Sequence, residues 1–287
     1  MVLAPETQQR LTRIGKGSSR LAVVTASTDL RRSAVCLNSW RELAIDQHFP
    51  CLIVENGDGR PYLGTVPAFR RGIDELLATT AAEVICAFHD DVQIYEHGWD
   101  ARVLRLFDEH PQCGLAGFGG AVGLGINALY KIPYDPMQLA RLGFRSNMVD
   151  AEQHGVRSLL TERVVCLDGF SQIGRREFWM GDLLREGHWI SPLCDRTVEG
   201  RPWTYLESLG VIHHFYDGML GCLAARYGWE TWYLPIACRH YGGQTAVGDA
   251  GYQDWAKTKT TGGDHGFWEA AHKIGYDEFC DILPLRI

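Results

Sequence analysis

The sharpest candidate for chemistry is His89-Asp90-Asp91, three ionisable side chains directly after the apolar run Glu83-Val-Ile-Cys-Ala-Phe88. Two adjacent carboxylates at the end of a buried strand repel each other, so a counter-charge is expected nearby. A hard divalent cation bound through oxygen, helped by a distant imidazole, supplies one. An isolated Asp-Asp pair has a plainer account as a solvated strand end or a helix N-cap. This pair is not isolated. Other apolar runs end at Thr25-Ala-Ser27, at Glu55-Asn56, at Asp168-Gly169 and, after Leu234-Pro-Ile-Ala-Cys-Arg239, at His240. Acidic residues and a histidine thus collect at strand ends, where parallel α/β sheets bind ligands.

The elements that must position these residues follow from periodicity. Short apolar runs predict strands at Leu21–Thr25, Cys51–Val54, Glu83–Phe88, Val164–Leu167 and Thr231–Leu234. Helices are predicted at about Leu30–Ile45, Val66–Thr79, Trp99–Glu109, Arg175–Leu184 and Asp217–Tyr227. The opening order β-α-β-α-β implies a parallel sheet with right-handed crossovers, hence an α/β fold in a single domain. Residues 1–20 read as a polar helix or arm, 126–163 and 185–210 as irregular, and the tail from about Gly242 as rich in glycine and aromatics. Gly15-Lys16-Gly17-Ser18-Ser19 lacks phosphate-loop spacing and a preceding strand, so it is rejected as one.

Composition narrows the function classes. In 287 residues, 46% are hydrophobic and 22% charged, enough to bury a core. A net charge of −7 disfavours nucleic acid as the main partner without excluding a local basic patch. No two of the nine cysteines are spaced as C-x-x-C and most lie in apolar segments, which points to buried free thiols in a reducing compartment. No stretch approaches the ~18 apolar residues of a membrane span and no signal sequence opens the chain, so a cytoplasmic protein is expected.

Taken in order, these segments resemble the GT-A fold of nucleotide-sugar glycosyltransferases, especially the inverting family 2 group, over about residues 20–243. That family has V-D-[DN]-x-S at its second strand end; Val54-Glu55-Asn56-Gly57-Asp58 stands there. Ala68-Phe69-Arg70-Arg71-Gly72 is a loose form of its A-R-N-x-G, and Phe88-His89-Asp90-Asp91 of its F-x-D-D-D. Asp168-Gly169-Phe-Ser-Gln-Ile-Gly-Arg175-Arg176-Glu177 fits its glycine-to-R-R-E segment, Tyr216-Asp217 its E-D pair, and Tyr233-Leu-Pro235…His240 its closing strand and histidine. Each match alone is weak, while six in order are specific. The departures are His89 for the first acid of D-x-D and Tyr216 for a glutamate.

The resemblance implies a Rossmann-like, mostly parallel central sheet flanked by helices, with the fold over 21–245, an arm at 1–20 and a C-terminal extension at 246–287 packed on the same domain. It implies Mn²⁺ or Mg²⁺ on Asp91 and His240, and a nucleoside-diphosphate sugar donor, a uridine diphosphate sugar being the commonest. Donor contacts fall to Thr25, Ser27, Glu55, Arg70, His89, Asp90, Asp168 and Gly169, and Asp217 is the general base for inverting transfer to an acceptor hydroxyl. The acceptor is unidentified and is expected to meet 126–163 and 181–214. His213-His214 could line its site, although packed or surface histidines account for them as well. Two alternatives stand beside this: a metal-dependent phosphohydrolase using His89, Asp90, Asp91, His214 and His240, and a catalytically silent scaffold that binds nucleotide or sugar.

Overall fold

The computed structural model describes residues 11–14, 19–57, 62–124, 143–149, 155–182, 200–242, 249–283 and 285–287. Strands β1 (Leu11–Ile14), β2 (Leu21–Ser27), β3 (Cys51–Glu55), β4 (Val84–His89), β6 (Cys113–Gly117), β11 (Glu162–Val164), β13 (Ser171–Arg175) and β14 (Glu230–Tyr233) form one sheet, in the order β1-β3-β2-β4-β13-β6-β14-β11. β2 lies parallel to both β3 and β4, and β14 parallel to β6. The other pairings are antiparallel: β1 with β3, β13 with both β4 and β6, and β11 with β14.

The expected mostly parallel sheet is therefore corrected to a mixed one. The reason is β13, Ser-Gln-Ile-Gly-Arg, which inserts antiparallel between β4 and β6. Its one large apolar residue is Ile173, so no hydrophobic run announces it. It is buried because its neighbours are small: a Cβ on Gly174 would stand 2.2 Å from the Trp179 ring. The described part of the 1–20 arm is also corrected, from helix to edge strand. Two further misses are β11 and the helix inside the stretch read as irregular at 185–210.

Helices α1 (Leu30–Glu42) and α3 (Trp99–Glu109) carry buried residues of one core, while α2 (Thr65–Thr79), α4 (Arg176–Met180), α5 (Pro202–Ser208) and α6 (Tyr216–Arg226) carry those of the other. Strand alternation divides the cores: Val23, Ile53 and Phe88 join Trp40 and Trp99, whereas Val24, Val54 and Ala87 join Phe69, Trp179 and Leu220. Short strands complete the frame. β7 (Gly119–Ala121), β9 (Phe144–Ser146), β10 (Val156–Arg157) and β12 (Cys166–Leu167) form a second sheet, and β8 (Gly123–Leu124) pairs with β16 (Leu285–Arg286). β5 (Val92–Ile94) pairs antiparallel with β15 (Cys238–His240).

Of the C-terminal helices α7 (Ala250–Lys259) and α8 (Asp264–Glu278), α8 returns to α6 and α7 packs on α8. Arg226 on α6 is buried against Glu278 and Asp281, 2.9 Å from each, with its guanidinium over the Phe279 ring. Seven of the eight described cysteines are buried and none is in a disulfide. No described helix is long and apolar enough to cross a membrane.

The close approach of α2 to the sheet is set by Gly72, where a Cβ would stand 2.3 Å from a Val24 methyl and 3.0 Å from one of Val54. Helix propensity alone favours Gly72→Ala by about 1 kcal/mol. Overpacking against two stiff β-branched side chains costs about 1–3 kcal/mol. Urea unfolding should therefore find Gly72→Ala less stable than wild type by about 1 kcal/mol; a stabilised variant would refute the close packing.

Candidate active site and metal centre

A cavity of about 260 Å³ opens at the carboxyl ends of β2, β3 and β4. Its lining includes Ala26, Asn56, His89, Asp91, Asp168, Gly169, His213, His214, Asp217, His240 and Tyr252. Four chain segments far apart in sequence thus meet there: the ends of the parallel strands, the β12–β13 turn, the start of α6, and the β5–β15 ribbon.

His89 and Asp91 leave β4 together, and the ribbon fixes their partner. His240 pairs with Val92 in the β5–β15 register, and the Tyr241 amide donates to the Asp91 carbonyl at 3.1 Å. The ribbon is pinned to the core by the Trp40 indole, which donates to the Val92 carbonyl at 2.8 Å. His240 Nε2 then stands 3.3 Å from Asp91 Oδ1, and His89 Nδ1 4.0 Å from the same oxygen. The His240 ring is stacked on Phe170. Although burial opposes its charge, Asp91 is held down to about 2, chiefly by the His240 imidazole.

The protons decide what this trio can hold. Tyr216 donates its single hydroxyl proton to the Gly169 carbonyl at 3.0 Å. Its oxygen lies 2.6 Å from His89 Nε2, which is the donor of that bond when the Tyr216 proton is given to the Gly169 carbonyl. Burial brings the His89 pKa down to about 4, which keeps the ring neutral near pH 7. Nδ1 is then a lone pair facing the Asp91 carboxylate, an arrangement that repels unless a cation lies between them. Asp91 Oδ1 is moreover buried without a well-formed hydrogen bond among the described residues. A divalent cation fits this trio. Two imidazoles and one carboxylate suit Mn²⁺ better than Mg²⁺, which prefers oxygen ligands.

Asp217 sits in the first turn of α6, where the Gly218 amide donates to its Oδ1 at 2.8 Å. Burial, reinforced by the Asp168 charge, raises its pKa to about 6. A group so placed exchanges a proton near neutral pH. Gly169 is required by packing, because a Cβ there would stand 2.6 Å from the Tyr216 hydroxyl. A second trio lines or backs the same cavity: His214 Nε2 lies 2.8 Å from Asp264, Tyr252 donates to that carboxylate at 2.6 Å, and Thr65 Oγ1 contacts His213 Nδ1.

Of the residues expected at the site, His89, Asp90, Asp91, Asp168, Gly169, Asp217 and His240 line the cavity and Thr25, Ser27, Glu55 and Arg70 do not. Strand alternation turns Thr25 and Ser27 away, and Ser27 is hydrogen-bonded to Ser33 at 2.6 Å; their neighbours Ala26 and Thr28 face the cavity instead. Asn56 replaces Glu55 there. Arg70 is bound to Glu207 and Asp74. Asp90 borders the cavity, but its carboxylate accepts from the Thr28 amide at 2.9 Å and from Arg32 at 2.9–3.0 Å, so it clamps the β2–α1 turn. Burial opposes the Arg32 charge, yet Asp90 more than offsets this and raises its pKa. His213 and His214, read from the sequence as possible lining, do border the cavity, whereas Thr65, Phe215 and Tyr252 were missed because Tyr252 arrives from the C-terminal helices, which no motif flagged.

No protein-family model matches this chain, and neither does any curated protein. Among solved structures it is similar to A197 from STIV, with 12% identity, a TM-score of 0.40, and coverage of 77% of this chain and 85% of that one. It is also similar to the mannosyltransferase PcManGT from Pyrobaculum calidifontis in complex with GDP-Man and Mn²⁺, with 11% identity, a TM-score of 0.39, and coverage of 91% and 70%. Both likenesses are too loose to carry an argument about function.

The proton assignment has a direct consequence. Tyr216→Phe keeps a ring packed beside Trp203 but leaves His89 Nε2 unanchored. Losing such a partner typically costs 10–100-fold in metal affinity. Calorimetric titration with Mn²⁺ should find at least about a tenfold weaker site with little change in melting temperature; unchanged affinity would remove His89 from the ligand set.

Proposed function

We propose that the protein is a metal-dependent glycosyltransferase with a GT-A-like fold, moving a sugar from a nucleoside-diphosphate donor to an acceptor hydroxyl with inversion. The observation that supports it most is the shared cavity: the His89–Asp91–His240 trio and an Asp217 carboxyl with a pKa near 6 line one concavity at the carboxyl edge of the parallel strands. The order of motifs along the chain supports the same reading.

His89, Asp91 and His240 would hold a divalent cation, which would supply charge neutralisation for a departing diphosphate. The rest falls to the chain. Tyr216 fixes the His89 ring, and Phe170 supports His240. Asp217 accepts the proton of the acceptor hydroxyl as that oxygen attacks the anomeric carbon, and the diphosphate leaves from the opposite face. Asp168 raises the proton affinity of Asp217, which matches it to a hydroxyl losing its proton in the transition state. Asn56 and Thr28 face the cavity where a donor nucleotide would meet β2 and β3. The donor base and sugar, a uridine diphosphate sugar being the commonest in such families, are the variables of the first test.

That test is thermal stability against a panel of nucleotide-sugars, each with and without Mn²⁺, for wild type and Asp91→Ala. A ligand present at about 100 times its Kd stabilises the folded state by about 2.7 kcal/mol. One donor should raise the wild-type melting temperature only with metal, and the shift should vanish in Asp91→Ala. If no nucleotide or nucleotide-sugar shifts the wild type in any metal, the transferase reading fails and phosphoester hydrolysis is assayed instead.

Asp217 gives a second, opposed pair of readouts. Its raised pKa favours the neutral acid in the folded state, so the associated stability is complete below the ordinary carboxylate range and is lost as pH rises through about 6. At pH 8 the buried charge is a cost, and Asp217→Asn should stabilise the protein by about 1–2 kcal/mol. The same change should lower turnover by about 10²–10⁴ while leaving donor binding intact. Wild-type turnover should rise with pH through about 6, where the accepting carboxylate forms.

A further inference from the structure

The wall that the proposed reaction does not use contains the most strained backbone among the described residues. His214 and Phe215 are the two described non-glycine residues at positive φ, 60° and 49°, side by side before α6. Such conformations cost about 1–3 kcal/mol each and persist only where packing over-determines them. Here it does. The Phe215 ring is stacked 4.2 Å from His272, in a slot that two glycines leave open: a Cβ on Gly218 or Gly275 would stand 2.6 or 2.7 Å from it.

The strain has a geometric product. Adjacent side chains on a strand point to opposite faces, and on a helix they diverge by about 100°. The left-handed step at His214 instead brings the rings of His213 and His214 to 4.2 Å, at 71° to each other. Two neighbouring imidazoles therefore converge on one place. Asp264, at the start of α8, completes the set, and a donor nitrogen from each histidine and a carboxylate oxygen lie within 4.8 Å of one another.

Two of the three members, His213 and Asp264, are also oriented from outside the set, as metal ligands are. Thr65 Oγ1 contacts His213 Nδ1, leaving Nε2 as the remaining nitrogen of that ring. Tyr252 donates to Asp264 Oδ1 at 2.6 Å, and His214 Nε2 lies 2.8 Å from the same oxygen. His213, His214 and Tyr252 line the cavity. Two imidazoles and one carboxylate beside an open space are the donor set of a three-ligand site with a free coordination position.

We propose that His213, His214 and Asp264 form a second divalent-metal site, for a transition ion of the zinc type, whose open position faces the cavity and takes an oxygen ligand from the substrate. The site is separate from the His89–Asp91–His240 trio and does not depend on the transferase reading. It gives the C-terminal helices a part in the chemistry through Asp264 and Tyr252.

The experiment is equilibrium dialysis of the full chain against Zn²⁺, with metal analysis, in a Cys280→Ser background because Cys280 is an exposed thiol. Variants are Asp264→Asn, His213→Gln, His240→Gln and the Asp264→Asn/His240→Gln pair, each checked by circular dichroism for a folded state. The parent should bind two equivalents, each single variant one, and the pair none. Co²⁺ titration provides an independent readout: the visible absorption of the second equivalent should be lost in His213→Gln, which serves if Asp264→Asn does not fold. Two equivalents retained in folded Asp264→Asn or His213→Gln overturn the site, as does a parent that binds one equivalent released only by His240→Gln. One equivalent lost in Asp264→Asn but kept in His240→Gln sustains this site and removes the cation from the first trio.

Discussion

A carboxylate buried at a strand end costs several kcal/mol unless something neutralises it, and the architecture around Asp91 answers that need. Asp91 is 6% exposed, and its neighbour Asp90 is equally enclosed at 5%. The two are handled differently. Asp90 is neutralised by Arg32 and two backbone amides, which converts one carboxylate into a clamp on the turn between β2 and α1. Asp91 receives imidazoles instead, delivered by β4 and by a ribbon that Trp40 pins to the core. The two imidazoles lower the cost of that charge, and the His89–Asp91–His240 set has the donor atoms to hold a metal ion as a further counter-charge.

The two residues that depart from the motifs the sequence resembles meet in the fold. His89 stands where an acid is expected, and Tyr216, 127 positions later, stands where another is expected. In the fold they share a 2.6 Å hydrogen bond, and with Nε2 as its donor the other ring nitrogen, Nδ1, faces Asp91. An acid at 89 would have needed no such partner. A glutamate at 216 would have paired with the ring as a charged acceptor and added a third carboxylate beside Asp168 and Asp217. The two residues that depart from the resemblance thus contact each other at the cavity, with Asp217 as the carboxylate next to Tyr216.

The parts of the fold legible in the sequence were those with period: β2, α2, β4, α3 and α6 lie within a residue or two of where apolar spacing put them. What lacked period was missed. β13 is buried through glycine, serine and glutamine, and α5 lies in a stretch with no clear apolar face. In the site, the strand ends picked out His89, Asp91, Asp168 and His240, which all line the cavity. Thr25 and Ser27 do not line the cavity, because a strand shows alternate residues to opposite faces and the sequence does not say which face borders the space. The arginines of the Arg175-Arg176-Glu177 motif turned out to cap helices: Arg175 donates to the Phe107 and His110 carbonyls at the end of α3, and Arg176 to the Leu77, Thr80 and Ala82 carbonyls around the end of α2. Tyr216 and His214 act through partners more than fifty positions away or through unusual φ, and neither leaves a local signature.

The charge of the cavity explains why metal and substrate would have to arrive as partners. Its described lining holds the carboxylates of Asp90, Asp91, Asp168 and Asp217 and no lysine or arginine. Arg32 reaches Asp90 but is committed to it. A diphosphate entering such a space meets repulsion from Asp91, Asp168 and Asp217 unless a multivalent cation precedes it, and Coulomb energies of several kcal/mol are at stake at these separations. Under the transferase reading, the same lining disfavours an anionic acceptor at the attacking end and suits a neutral polyhydroxyl compound, whose hydroxyls can donate to the carboxylates and imidazoles. Under that reading the acidic wall would perform two tasks with one set of residues: it would make donor binding conditional on metal and keep a proton acceptor beside the attacking hydroxyl.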